Sequence, residues 1–121
     1  MGPGDTLDID PSLDNNSNGP IYVFMEVEYD TSIYELKVTG SWKNVEGNVY
    51  AYVEGDSMKA VPKGDDAVLT GTLKVIAEGK AFSNLTADDM EVKVHGYGIL
   101  TSISRSGVGE AWEDYQNGGK Q

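Results

Sequence analysis

The chain has 121 residues and no cysteine, which excludes a disulfide framework and thiolate metal sites. Twenty acids against nine bases give a net charge of −11, which argues against direct binding to nucleic-acid phosphate or to anionic membrane surfaces. Apolar residues make up 39%, enough for a modest core, and no run nears the roughly 18 apolar residues of a membrane helix, so no membrane insertion is expected.

Residues 1–19 are rich in aspartate and hold the run Asp14-Asn15-Asn16-Ser17-Asn18-Gly19. Neither a period of two nor one of 3.6 is visible, and this composition predicts a flexible acidic arm. The opening Met1-Gly2-Pro3-Gly4-Asp5-Thr6 has neither the basic nor the apolar part of a signal peptide. Asp8, Asp10, Ser12 and Asp14 alternate oxygen donors as a calcium loop does. Leu13 and Gly19 stand where its glycine and glutamate belong, so no metal is expected there.

From Ile21 to Ser104 the chain runs in short alternations of apolar and polar residues, broken by glycine, asparagine or aspartate. That pattern predicts one antiparallel β domain over 20–104. Ile21, Val23, Met25, Val27 and Tyr29 share one face of a first strand; Tyr22, Phe24, Glu26 and Glu28 share the other. After Asp30-Thr31-Ser32, Tyr34, Leu36, Val38 and Trp42 line one face of a strand expected to form a hairpin with the first. Trp42 is expected to anchor the core.

Residues 43–48 read as a turn. Val49, Ala51 and Val53 then alternate with Tyr50 and Tyr52. Residues 58–62 read as a short edge strand, because Pro62 cannot donate to a ladder. Leu69, Gly71, Leu73, Val75 and Ala77 mark a long strand. Residues 81–85 read as a weak strand and 86–89 as a loop or single helical turn. In the last strand the apolar parity set by Met90, Val92 and Val94 switches at Gly96-Tyr97-Gly98, which predicts a β-bulge. The tail, 105–121, has Trp112 and Tyr115 at helical spacing, so a short helix is expected, packed less deeply than the strands.

The expected fold is all-β: an antiparallel β-sandwich or partly open β-barrel of six to eight strands, preceded by the arm. Chemistry is harder to find. His95 is the only histidine, and neither a cysteine nor a Gly-x-Ser-x-Gly elbow accompanies it. No catalytic residue, cofactor or metal is expected, and the chain is read as non-enzymatic.

Seven tyrosines and two tryptophans outnumber two phenylalanines. A tyrosine ring with a polar tip suits half-exposed positions and interfaces. Tyr22, Phe24, Tyr50 and Tyr52 fall opposite the expected core faces and are the interface candidates. The first functional reading is a structural or assembly module, such as a virion, tail or surface-filament subunit, acting by self-association or on a protein partner. The alternatives are an acidic binding or inhibitor protein for a basic partner, and a small-ligand or carbohydrate-binding β domain.

Overall fold

A computed structural model describes residues 4–79, 83, 85–86 and 90–119. The described chain is mostly antiparallel β-sheet with no closed barrel. Its strands are β1 (Thr6–Ile9), β2 (Ser12–Asp14), β3 (Ile21–Glu28), β4 (Tyr34–Thr39), β5 (Trp42–Glu46), β6 (Val49–Glu54), β7 (Ser57–Met58), β8 (Asp66–Val68), β9 (Thr70–Val75) and β10 (Lys93–Leu100). A helix, α1 (Val108–Asp114), follows. The weak strand expected at 81–85 and the turn at 86–89 lie largely outside the described residues.

Among the described residues three sheets form, ordered β1-β9-β4, β10-β3-β6-β5 with β7 extending β6, and β2-β8. The sheet order differs from the local hairpin expected after β3. Strand β4 pairs with β9, Leu36 opposite Leu73, and β3 lies between β10 and β6. The connection explains it. The Asp30 carboxylate accepts the Ser32 amide at 2.8 Å, and the Asp30 carbonyl accepts the amides of Ile33 and Tyr34, both at 3.0 Å. This turn buries Ile33 among Tyr34, Leu73 and Val75, so the chain is drawn into the other sheet. A local pattern cannot distinguish these outcomes, because both keep the same side chains inward.

Strand β3 is buried along one face and at Phe24 on the other, which accounts for the apolar run from Ile21 to Met25, while Glu26 is half-buried and Glu28 exposed. Ile21, Val23, Met25 and Val27 pack with Val61, Ala67 and Leu69 and with half-buried Ile9, Leu13, Leu36 and Val38 from the other sheets. On the opposite face Phe24 packs with Val49, Ala51, Val53, Met58, Ile99, Ala111 and Trp112. Helix α1 therefore closes a second core. Arg105 staples it: Nη2 donates to Asp114 Oδ1 at 2.9 Å, while the Arg105 backbone N–H donates to Asp114 Oδ2 at 2.9 Å. These bonds hold the Asp114 carboxyl below its ordinary range.

The aspartate-rich segment expected to be a flexible arm is paired. Strand β1 joins β9 with Leu7 opposite Leu73, and β2 joins β8. Asn15 is the reason the turn region orders. It is fully buried, its Nδ2 donates to the carbonyls of Gly19 at 2.9 Å and Val61 at 2.8 Å, and its Oδ1 accepts the Ser17 amide at 2.9 Å. An asparagine side chain has donors and acceptors for all of these at once, whereas composition registers it only as polar.

The bulge expected at Gly96-Tyr97-Gly98 is not formed. Strand β10 pairs with β3 without interruption from Lys93 opposite Glu28 to Leu100 opposite Ile21. The glycines serve close packing instead. A Cβ on Gly96 would lie 3.0 Å from Leu13 Cδ1, and one on Gly98 would lie 3.1 Å from Ile21 Cδ1. A register irregularity does occur between Asn44 and Glu46, in the segment expected to be a turn. That segment is β5, and the turn is confined to Gly47 and Asn48.

Candidate functional site

The four interface candidates occupy two opposite faces of one sheet. Phe24 sits opposite Ala51, and Met25 opposite Tyr50, so Phe24 shares a face with Val49, Ala51 and Val53. Tyr50 and Tyr52 point to the other face, with Val23 and Met25. Phe24 is wholly buried, its ring 4.9 Å from that of Trp112. Tyr22 is half-buried against the same cluster.

Tyr50 and Tyr52 are half-buried, and burial pushes the Tyr50 phenol above its usual value. The Tyr52 ring lies 5.1 Å from Trp42, and Lys59 Nζ stands 5.5 Å from its centroid. Trp42 itself is half-buried and donates Nε1–H to the Val68 carbonyl at 2.8 Å. The expected anchor of the core is thus a rim residue, because its strand β5 is at the sheet edge.

Beyond the end of α1 the same sheet face as Phe24 carries Glu26, Glu28, His95 and Tyr97, which antiparallel register brings together. Tyr97 donates its hydroxyl to Glu26 Oε1 at 2.9 Å, and His95 Nε2 lies 3.0 Å from Glu28 Oε2. Trp112 donates Nε1–H to Glu46 Oε1 at 3.3 Å. The rings of Tyr97, Trp112 and Tyr115 form a wall, with Trp112 and Tyr115 stacked at 5.5 Å and 13°. Desolvation first, and the Glu26 hydrogen bond second, push the Tyr97 phenol up to about 12. Tyr97 is therefore a hydrogen-bond donor near neutral pH and not a base. The patch offers carboxylate acceptors beside aromatic rings, a surface that suits basic or hydroxylated groups.

Sequence reasoning placed Glu26 and Glu28 on one strand face but missed Tyr97, His95, Glu46 and Trp112 as their neighbours. The only signal available was alternation, which states the face of a residue and not its cross-strand partner. Elsewhere a depression of about 370 Å³ is lined in part by Asp8, Thr39, Thr70 and Thr72. Its polar groups bond one another, Thr39 Oγ1 lying 3.0 Å from Thr70 Oγ1 and Thr72 Oγ1 donating to Asp8 Oδ1 at 3.1 Å. Among the described residues no three histidine or carboxylate side chains converge as a metal site would require, and no helix is long and apolar enough to cross a membrane.

Compared with protein-family models, with curated proteins and with solved structures, the chain matches none of them.

Proposed function

We propose that this chain is a non-enzymatic structural or assembly module, with its sheets arranged as a β-sandwich, that works through protein–protein contacts and self-association. One observation carries the reading. Tyr22, Tyr29, Tyr50, Tyr52, Tyr97 and Tyr115 are all half-buried, with only Tyr34 inside. Each anchors ring area on the sheets and leaves part of the residue for contact, the distribution that protein interfaces favour. Tyr22 and Tyr52 remain the interface candidates on their two faces. Buried Phe24 supports the fold beneath them, and Tyr50, half-buried like Tyr52 against the same cluster, stays a candidate beside it.

Light scattering on the eluting protein, across concentration and salt, tests this. At −11 per chain, copies repel, and salt near 0.1 M screens beyond about 10 Å. Association is expected to strengthen as salt rises. A chain that stays monomeric at high concentration and high salt rules the assembly reading out. The carboxylates Glu26, Glu28 and Glu46 beside aromatic rings favour a second reading, an acidic binding protein for a basic partner. That binding weakens with salt, the opposite sign.

A further inference from the structure

We infer that the outer edge of β10 takes up an extended basic segment of a partner protein as an added strand. The inference rests on the reading of a basic partner and names its site and its mode.

An unpaired sheet edge is a template for strand addition. Among the described residues no strand pairs with the outer side of β10. Val27 turns its N–H toward β6, to the Asn48 carbonyl at 3.1 Å, so Glu26 and Glu28 turn theirs toward β10, opposite His95 and Lys93. Backbone groups alternate sides along a strand. Val94, Gly96 and Gly98 therefore turn their N–H and C=O groups outward, and the two glycines bring no side chain to screen them.

Length and charge select this edge. Strand β10 has eight residues, against four in β1, six in β4, five in β5 and three each in β2 and β8. Strands β1, β4 and β5 each meet a cation within the ladder. Lys74 stands opposite both Thr6 and Glu35, Lys37 lies inside β4, and Lys43 lies inside β5. The one lysine of β10, Lys93, is its first residue and bounds the site to residues 94–100.

Charge chooses the occupant. Glu26 and Glu28 lie one strand in from the edge, on the sheet face of His95 and Tyr97. A carboxylate accepts at two oxygens, so the Tyr97 bond to Glu26 and the His95 bond to Glu28 leave acceptors for an incoming lysine or arginine. The stem of such a side chain crosses the Tyr97 ring, which itself attracts cations. On the other face Gly98 lines a cleft of about 190 Å³ with Leu13, Asp14 and Ile21. A small apolar side chain seated there meets apolar walls beside a third carboxylate. A segment that alternates basic and apolar residues fits both faces at once. A second copy, itself at −11, is repelled by the same three carboxylates.

The test uses the full chain and a synthetic peptide of alternating lysine and valine, about nine residues long. A twin peptide of equal charge is methylated on the backbone nitrogens of its ladder side. Calorimetry reads affinity at low and high salt, and amide hydrogen exchange reads the site. The plain peptide is expected to bind at low salt and to protect the Val94, Gly96 and Gly98 amides. The methylated twin should bind about tenfold or more weakly, having lost its ladder donors. The double variant Glu26→Gln with Glu28→Gln, checked for folding by circular dichroism, should weaken the plain peptide by about fivefold. If the twin binds as tightly and the three amides exchange at the free rate, or if the folded double variant binds unchanged, the inference is overturned while the basic-partner reading stands. If polylysine binds at low salt and the plain peptide does not, the inference alone falls; if neither binds, both fall. Should the double variant fail to fold, the twin peptide and the exchange pattern decide.

Discussion

On one face of the β10-β3-β6-β5 sheet, Val23, Met25 and Val27 meet aliphatic side chains delivered by several other strands. On the other face, Phe24 meets Trp112 and Tyr115, delivered by one helix and the turn after it. The first face is closed by elements that have their own ladder hydrogen bonds, so each side chain carries a modest share. The second is closed by seven helical residues, too few to be stable alone in water. Its cohesion is concentrated in a few rings. A sheet can thus distribute its core on one side and focus it on the other. The focused side is the more fragile to a single substitution.

The sharpest way to break that contrast is to remove one tryptophan from each side. Trp112→Ala is expected to cost about 3–5 kcal/mol in chemical denaturation, since the ring is nearly buried among Phe24, Tyr97 and Tyr115. The helical circular dichroism signal should fall with it. Trp42→Ala is expected to cost less, within about 0.5–3 kcal/mol, because the ring lies at the rim and loses one hydrogen bond to Val68. This order reverses the one that alternation predicts. A larger loss at Trp42 would mean that the helix is not what closes the aromatic face.

A smaller effect probes the aliphatic side. Asn15→Ala removes the clamp on the Gly19 and Val61 carbonyls and leaves buried polar groups unsatisfied, at a cost of about 1–3 kcal/mol. Because the load on that face is distributed, the loss should stay local. Amides of β2 should exchange faster while those of β3 remain protected. Global acceleration across β3 would show that the aliphatic face is as focused as the aromatic one.

The mildest handle is pH. The folded Tyr97 phenol sits at about 12, above its ordinary value of 10.0, so folding favours the protonated form. Its contribution is whole below pH 10 and is lost as pH rises through about 12. Phenolate absorbance should show Tyr97 ionising late, and the aromatic face should open in that window before the aliphatic face does. Tyr97→Phe should flatten this alkaline dependence and, by removing the hydrogen bond to Glu26, lower stability near neutral pH by about 0.5–1.5 kcal/mol. An unaltered alkaline profile in Tyr97→Phe would remove Tyr97 from the linkage.

The sequence alone determined the antiparallel β character, because two-residue alternation with glycine and asparagine breaks is a local property of a pleated strand. It also determined the apolar face of β3, the alternation of β9 and the helical spacing of Trp112 with Tyr115. Tertiary structure decided the rest. Strand partners depend on side chains far apart in the chain, so β4 joined β9 and not β3. Order in the aspartate-rich segment depended on Asn15 finding the Val61 carbonyl, which composition cannot register. The glycines of β10 read as a bulge only until Leu13 is seen packed on Gly96. The carboxylate and aromatic patch joins Glu26, Glu28 and Glu46 to His95, Tyr97 and Trp112 across three strands and a helix. Alternation gives each residue a face, and only the register of distant strands gives it a neighbour.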